Sequence, residues 1–343
     1  MRYIIIGAGA IGGALGARLH QSGHEVVLVA RGEHHAALRE RGLTLQAPDG
    51  SRTLRIPVVR GPEEIALRGD DVLFLAVKTQ DTASTLAAWA ARPVSGGGSA
   101  ARLPLICLQN GVESERMALR HFRHVYAACV VLPAAFLTPG VVRTWCGPRT
   151  GALVLGCFPE GSDETVQRIA DDLRGSTFHA LVADDAMRWK YGKLLGNLAN
   201  AVDALCGRAA DAQLQELIAR ARAEAVEVLK RSGIAYAEPE ELAELRRGAV
   251  EEVTGTAAEP GHSSTWQSLR RGSGSAEVDY LNGEIAMLGR ACGVPTPVNE
   301  ALQQLVNTWA RERRAPGRLA PSRLAELLER AAVPVQRRAS QDW

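Results

Sequence analysis

The first twelve residues join a short apolar run to a glycine-rich turn. Residues 3 to 6, YIII, have no polar face, which is typical of a strand buried on both sides of a parallel sheet. The motif G-x-G-x-x-G runs from Gly7 to Gly12, a helical pattern leads through Arg18, and a second apolar run, EVVLVAR, comes after Gly23. This order predicts a βαβ unit, and with it an α/β fold for the N-terminal part of the chain.

The turn can bind a dinucleotide if each glycine has its expected role. Gly7 permits the tight turn, Gly9 lets a pyrophosphate approach the backbone, and Gly12 lets the helix pack closely on the strand. The pyrophosphate would lie at the helix N-terminus, where N–H groups and the helix dipole attract an anion. A merely flexible glycine-rich turn is the alternative. The predicted cofactor-binding residues of the turn are Gly7, Ala8, Gly9, Ala10, Ile11 and Gly12.

Cations follow two of the predicted strands. A protein that binds NAD usually carries Asp or Glu at the end of the second strand, but this chain has Arg31, followed by Gly32. Lys78 ends the apolar run DDVLFLAVK and could approach the same part of the ligand. Because a cation suits the 2'-phosphate of NADPH, both residues favour NADPH as the cofactor. For each of them, a solvated loop cation is the alternative.

A polar turn follows the next apolar run, LPLICL. Gln109, Asn110 and Gly111 come at its carboxyl end, in the crevice where parallel sheets bind ligands. The position predicts that Asn110 contacts the nicotinamide half of the cofactor, whereas an ordinary Asn-Gly turn is the alternative. Short strands with Gly and Pro turns, from Tyr126 to Leu155, are expected to complete the sheet.

The hydrophobic period changes from that of strands to that of helices at about Asp184, and no further strand is predicted beyond it. We therefore expect an α/β nucleotide-binding domain at 1–182 and an all-helical domain at 183–312, with a cleft between them. Residues 313–343 form a basic C-terminal tail, which is expected to be solvated, with a short helix near Arg323 to Arg330.

The stretch WKYGKLLGNLAN, from Trp189 to Asn200, carries two of the four lysines of a chain whose other basic residues are Arg. A partly desolvated Lys can give up a proton, which Arg cannot. The spacing of Lys193, Asn197 and Asn200 puts them on one face of a helix, with Lys190 near the same stripe. The face is typical of a ligand site with a proton donor and two amides; an amphipathic surface helix is the alternative.

A second polar stretch covers residues 261 to 285. Ser264 and its hydroxyl neighbours are followed, past a Gly- and Ser-rich turn, by Glu277 and Asp279 at the start of a predicted helix. Acids in a first helical turn are ordinary partners of the helix dipole, which is the alternative for Asp279. For Glu277 we expect a role as a carboxylate that orients Lys193 and holds its charge.

Composition narrows the choice of partners. The chain has 343 residues and a formal net charge of +2, which is too small to favour nucleic acid or an anionic membrane as partner. Six scattered cysteines, without C-x-x-C or histidine at metal-ligand spacing, favour reduced thiols in a cytosol and no metal site. No apolar run is long enough to span a membrane, and the N-terminus lacks the pattern of a signal peptide. We expect a cytoplasmic protein.

Taken together, these residues resemble the ketopantoate reductase family. Its members are NADPH-dependent 2-oxo acid reductases with an N-terminal Rossmann domain and a helical C-terminal domain like that of 6-phosphogluconate dehydrogenase. The matching elements, which span residues 7 to 284, are GAGAIG at Gly7, Arg31, VK at Lys78, QNG at Asn110, W-x3-K-L-L-x-N from Trp189 to Asn197, and SS-T-W-Q followed by AEVDYLNGE.

The resemblance implies roles for the matching residues. Lys193 would be the general acid for a carbonyl that receives hydride from the cofactor, and Glu277 would support Lys193 and the substrate. Arg31 and Lys78 match contacts to the adenosine phosphate. The expected substrate-binding residues are Asn197, Asn200 and Ser264.

The chain departs from the family pattern in the second half of this helix. The family's second Asn commonly stands eight residues after the Lys and is often followed by Pro, whereas here Ala201 has that place, Asn200 stands one residue earlier, and no Pro follows. A further Asn expected near residue 210 is absent from CGRAADAQL. The expected reaction is therefore reduction of ketopantoate to pantoate or of a related 2-oxo acid.

Two other readings stay open. A 3-hydroxy acid or polyol phosphate dehydrogenase of the wider 6-phosphogluconate dehydrogenase group would need a phosphate-binding cation cluster near the helix, and the sequence offers none. A non-catalytic NADP-sensing protein would not need Lys193 and Glu277. The expected partner is a small 2-oxo acid, and the sequence allows for a homodimer.

Overall fold

The computed structural model describes residues 1–208, 211–247, 250–252 and 262–332. The chain packs into two units. The first consists of Met1–Leu194 and a segment that begins at Ala235, and the second consists of Leu195–Ile234 and a segment that begins at His262. The two units are defined by contacts between residues and not by function. The domain ranges expected from the sequence therefore stay a prediction.

Sixteen strands lie in the described part of the chain. Their bounds are β1 Arg2–Ile6, β2 Glu25–Val29, β3 Leu43–Ala47, β4 Gly50–Leu54, β5 Val58–Val59, β6 Leu67–Arg68, β7 Asp71–Leu75, β8 Val94–Ser95, β9 Pro104–Cys107, β10 His124–Val131, β11 Ala134–Thr138, β12 Val141–Thr144, β13 Cys146–Pro148, β14 Gly151–Cys157, β15 Phe178–Val182 and β16 Val250–Glu252.

The α-helices of the same residues are α1 Ala10–Gln21, α2 Gly32–Arg41, α3 Thr82–Ala90, α4 Ser114–Leu119, α5 Glu164–Gly175, α6 Ala186–Asn197, α7 Asn200–Cys206, α8 Ala212–Arg231, α9 Pro239–Arg246, α10 Ser264–Arg270, α11 Asn282–Cys292, α12 Pro297–Arg311 and α13 Pro321–Ala332. None of the described helices is long and apolar enough to cross a membrane.

The first unit is built on an eight-stranded sheet with the order β15-β14-β10-β9-β7-β1-β2-β5. Its neighbouring strands are parallel except β10 and β14. Tyr3 and Ile5 of β1 belong to one apolar cluster, whereas Ile4 and Ile6 belong to another. Since successive side chains of a strand point to opposite faces, β1 is buried on both sides, and the predicted Rossmann-type α/β architecture is confirmed.

The segment that was expected to complete this sheet divides among three sheets. β10 and β14 join the main sheet, as predicted. β11 and β12 instead form a separate four-stranded sheet with β3 and β4, in the order β11-β12-β3-β4. β13 pairs with β16 in a two-stranded sheet. The prediction was wrong for β11, β12 and β13, because a sequence pattern gives a strand but not the partner with which it pairs.

The second unit is helical over its described residues and contains α7, α8 and α10 to α13. The expectation that no strand follows residue 184 was nevertheless wrong. β16 pairs antiparallel with β13 in the first unit, between Val250 and Pro148 and between Glu252 and Cys146. Its three residues are too few to give a recognisable strand pattern.

The C-terminal segment is more buried than expected. The predicted helix is present as α13, but Leu324 and Leu328 are 0% exposed and belong to the apolar core of the second unit. The Arg-rich composition concealed this face, although Leu324 and Leu328 stand four residues apart and therefore lie on one side of the helix. Residues 333–343 of the predicted tail lie outside the described residues.

Candidate active site

The glycine-rich turn lies between β1 and α1, and each glycine has a measurable constraint. Gly7 has φ +107°, and a Cβ there would lie 2.8 Å from the backbone of Ala76 and Val77. A Cβ on Gly12 would lie 2.1 Å from the Gly7 carbonyl oxygen, and a Cβ on Gly9 would meet nothing within 4 Å. Gly7 and Gly12 therefore permit close packing, while the space beside Gly9 is open to a ligand.

A dinucleotide fits this turn on chemical grounds. Gly9 is the N-cap residue of α1 and has no side chain that could cap the first N–H groups of the helix. Such N–H groups and the helix dipole attract an anion such as a pyrophosphate. Gly7 and Ala8 both donate their N–H groups to the Val29 carbonyl, at 3.2 and 3.0 Å, which ties the turn to the end of β2.

The two predicted cofactor cations flank the turn. β1 lies between β7 and β2 in the parallel part of the sheet, so the loops after all three strands meet at the same edge. Arg31 comes two residues after β2, is exposed and is the N-cap residue of α2. Lys78 comes three residues after β7 and is the N-cap residue of the 3₁₀ turn Thr79–Asp81. The strand order therefore places one cation-bearing loop on either side of the turn.

Asn110 and Lys193 lie in direct contact. Asn110 follows β9, and its Oδ1 accepts a hydrogen bond from the Lys193 Nζ at 2.7 Å. The same ammonium donates to the backbone carbonyl of Val130, near the end of β10. Because β9 and β10 are neighbours in the sheet, both acceptors lie at the edge that carries the glycine-rich turn. Both are predicted site residues, but nothing in the sequence indicated that they bind each other.

Close contacts within the first unit hold the helix of Lys193 in place. Arg188 of α6 makes a two-pronged ion pair with Glu241 of α9, at 3.0 and 2.5 Å, and its carbonyl accepts the Ala237 N–H at 2.9 Å. A Cβ on Gly192 would lie 2.3 Å from the Ala237 carbonyl oxygen. Backbone therefore packs against backbone next to the candidate proton donor.

Lys190 has a role that the sequence did not reveal. It is 3% exposed and forms an ion pair with Glu115 of α4, which is 0% exposed. Burial raises the pKa of the Glu115 carboxyl above its usual value, against the opposing effect of Lys190. The only sequence signal for this pair was the scarcity of lysine, since nothing in the spacing links Glu115 to Lys190.

Asn197 and Asn200 do not share one helix. α6 ends at Asn197 and α7 begins at Asn200, so the argument from a common helical face was wrong for Asn200. The apolar period continues through Leu198 and Ala199, which hides the break. The Asn197 amide nitrogen is buried and has no hydrogen-bond partner among the described residues. Because buried polar atoms are normally hydrogen-bonded, this nitrogen is a candidate ligand contact.

Ser264 begins α10, which is tied to α7. Asp203 of α7 accepts the Ser263 N–H at 2.8 Å and contacts His262 Nδ1 at 3.0 Å. Ser263 Oγ donates to the Asn200 carbonyl at 3.4 Å, so the first residues of the two helices lie side by side. The hydroxyl groups of Ser264 and Thr265 are buried without a partner among the described residues.

Glu277 lies in the second unit, in the 3₁₀ turn Glu277–Tyr280 rather than in the predicted α-helix, and is 4% exposed. Its charge acts on Arg271, whose pKa is nonetheless lowered by burial. Asp279 accepts hydrogen bonds from Gln303 and Asn307 of α12, at 2.7 and 2.6 Å, and is thereby a structural residue. The position near residue 210 where the family carries an Asn includes 209–210, which lie outside the described residues.

The family models and the curated relatives of this chain belong to the same family. A family model described as ketopantoate reductase PanE/ApbA matches residues 3–160, and the model of its C-terminal part matches residues 185–310. The curated 2-dehydropantoate 2-reductase of Mesorhizobium japonicum is 30% identical over 340 residues, which cover 91% of this chain and 99% of the relative.

Two solved structures share the fold. A PanE/ApbA family ketopantoate reductase from Ralstonia eutropha JMP134 has a TM-score of 0.74 and 28% identity, over 92% of this chain and 100% of that one. D-mandelate dehydrogenase in a ternary structure with NADH and anilino(oxo)acetate has a TM-score of 0.78 and 24% identity, over 92% and 100% of the two chains. At that identity the second likeness concerns the fold alone.

Proposed function

The chain belongs to the ketopantoate reductase family, and on that premise we propose that it reduces 2-dehydropantoate to pantoate with NADPH. The reaction would serve coenzyme A biosynthesis in the cytoplasm. The observation that carries the proposal is the contact of the Lys193 ammonium with Asn110 Oδ1, at 2.7 Å, at the edge of the sheet that also holds the glycine-rich turn. We further propose that 1–182 binds the cofactor and that 183–312 supplies the acid and the substrate-binding residues.

Lys193 is the proton donor in this mechanism. NADPH, when bound, supplies a hydride, and the carbonyl oxygen of the substrate then gains negative charge. A fixed ammonium stabilises that charge and passes on a proton. Asn110 and the Val130 carbonyl accept hydrogen bonds from the ammonium and so limit the directions in which it can donate. This prior orientation costs nothing during the reaction, which is why it contributes to the rate.

The other proposed roles concern binding. Asn197 and Ser264 offer buried polar atoms that have no partner among the described residues, and 2-dehydropantoate has carboxylate, keto and hydroxyl oxygens to satisfy them. Asn200 adjoins the Ser263 hydroxyl and is the third substrate-binding residue. Glu277 is the carboxylate that orients the reacting groups. Arg31 and Lys78 bind the 2'-phosphate.

The test is turnover by the full chain and by one variant. We expect NADPH oxidation with ketopantoate, and a loss of about 10²- to 10⁴-fold in kcat for Lys193→Met with NADPH binding retained. Lys230→Met is the matched control, because Lys230 is exposed at the end of α8. Wild-type turnover by Lys193→Met would refute the assignment of the proton donor.

A second candidate function is reduction of a different 2-oxo acid. The specific observation in its favour is the departure at Asn200, which begins a new helix, with Ala201 in place of the family's second Asn. A panel of 2-oxo acids that vary in bulk and in hydroxyl groups, run with NADPH and with NADH, distinguishes the candidates by kcat/KM. NADPH binding without turnover of any member would favour a sensor instead.

A further inference from the structure

His34 connects the glycine-rich turn to a second part of the first unit. It is the third residue of α2, and its Nε2 lies 2.7 Å from the Ala8 carbonyl oxygen. Its Nδ1 accepts the Gly140 N–H at 3.0 Å. Gly140 lies in the turn between β11 and β12. One imidazole therefore joins α2, the nucleotide turn and the small sheet.

The Gly140 contact fixes the protonation of His34. A backbone N–H can only donate, so Nδ1 must offer its lone pair. The proton of the neutral ring is then on Nε2, and Nε2–H is the donor to the Ala8 carbonyl. The ring also lies against Phe136, with 4.3 Å between ring centroids. Burial lowers the pKa of His34, which favours the same neutral form.

The bond to Ala8 reaches the part of the turn that has open space beside it. In a trans peptide the C=O and the following N–H point in opposite directions. Holding the Ala8 carbonyl toward His34 therefore holds the Gly9 N–H away from His34. A Cβ on Gly9 would meet nothing within 4 Å, so the space beside the residue that follows this peptide is open.

We propose that His34 is a positioning residue for the dinucleotide. It acts through the Ala8 carbonyl and sets the orientation of the Ala8–Gly9 peptide in the phosphate-binding turn. The inference rests on the proposed function in so far as it requires a nicotinamide dinucleotide at this turn. It assigns to His34 a role that neither the glycine motif nor the cations Arg31 and Lys78 supply.

Two substitutions of His34 each keep one of its two hydrogen bonds and remove the other. In His34→Gln the amide NH₂ reaches about as far as Nε2 and can still donate to Ala8, while the Gly140 bond is lost. In His34→Asn the amide oxygen reaches about as far as Nδ1 and can accept from Gly140, while the Ala8 bond is lost. We expect the Kd for NADPH, measured by calorimetry on the full chain, to rise about tenfold in His34→Asn and to change less than about threefold in His34→Gln.

Kinetics distinguish positioning from a general loss of structure. Since the turn binds cofactor and does not donate the proton, kcat at saturating NADPH should stay near the wild-type value in His34→Asn while KM for NADPH rises. His35→Asn, one residue further along α2, is the matched control. Equal affinity of both His34 variants and the wild type for NADPH would overturn the proposal, whatever happens to the melting temperature.

A measurement on the wild type covers the case in which a variant does not fold. With ¹⁵N-labelled histidine, the His34 resonances should report a protonated Nε2 and an unprotonated Nδ1, and the Nε2 resonance should move when NADPH is added. An Nε2 resonance that NADPH leaves unchanged would overturn the proposal. Turnover is measured separately, so binding of NADPH without reduction of any 2-oxo acid contradicts the proposed function and leaves the role of His34 intact. If the wild type binds neither NADPH nor NADH, both fail.

Discussion

At the scale of single residues, the ion pair of Lys190 and Glu115 is the most consequential feature outside the proposed reaction. Both side chains are almost wholly buried, and removal of one partner leaves an uncompensated charge. We expect Glu115→Leu alone to lower the free energy of unfolding by about 3–5 kcal/mol. The double variant Lys190→Met/Glu115→Leu should recover most of that loss, since an apolar pair can replace a buried ion pair. Urea denaturation measures both.

The control for this prediction is Lys230→Met, which removes an exposed lysine of α8 and should change stability by less than about 0.5 kcal/mol. A single Glu115 variant as stable as the wild type would contradict the expectation. If the stable double variant also kept wild-type kcat, the ion pair would have no part in placing Lys193, one helical turn away.

His34 gives a residue-scale prediction about pH. Burial lowers its pKa from the ordinary value of 6.5, so the unfolded chain binds a proton more readily than the folded one. The contribution of the neutral ring to the stability of the folded state is complete above pH 6.5. It is lost as the pH falls through 6.5 toward the folded-state pKa. We expect the melting temperature to fall between pH 7.5 and 5.5 by less in His34→Gln than in the wild type. An equal fall in both would contradict this.

At the scale of elements, α6 contains two glycines that differ in surroundings. A Cβ on Gly192 would lie 2.3 Å from the Ala237 carbonyl oxygen, whereas one on Gly196 would meet nothing within 4 Å. Gly192→Ala should destabilise the protein by about 2 kcal/mol or more, because backbone must move. Gly196→Ala should stabilise it by up to about 1 kcal/mol, since alanine favours a helix. Thermal unfolding of the pair tests this; a similar effect of both would contradict it.

Sequence patterns foresaw the elements whose signal is local. The turn at Gly7, the buried strand β1 and the helix near Arg323 all follow from neighbouring residues. The features that these patterns did not predict depend on partners far away in the chain. The separation of β11 and β12 into a second sheet, the pairing of β16 and the ion pair of Glu115 each join residues far apart in the chain. Periodicity also missed the end of α6 at Asn197, because apolar residues continue across the break.

At the scale of the whole molecule, cofactor binding should appear as added stability. A ligand present at 100 times its Kd stabilises the folded state by about 2.7 kcal/mol. We expect NADPH to raise the melting temperature of the wild type, and Arg31→Glu to lose most of that increase while keeping or gaining the response to NADH. Arg39→Glu, on the same helix, is the control. An Arg31 variant with an unchanged NADPH response would refute the 2'-phosphate contact.

The division of the chain between its two units affects the order in which it can fold during synthesis. Arg188 binds Ala237 and Glu241, and β13 pairs with β16, so the first unit needs residues that follow the whole of Leu195–Ile234 in the chain. During translation, the ribosome must therefore synthesise the whole of Leu195–Ile234 before the first unit can close these contacts. A fragment cut after Leu194 would therefore lack the residues with which Arg188 and β13 pair.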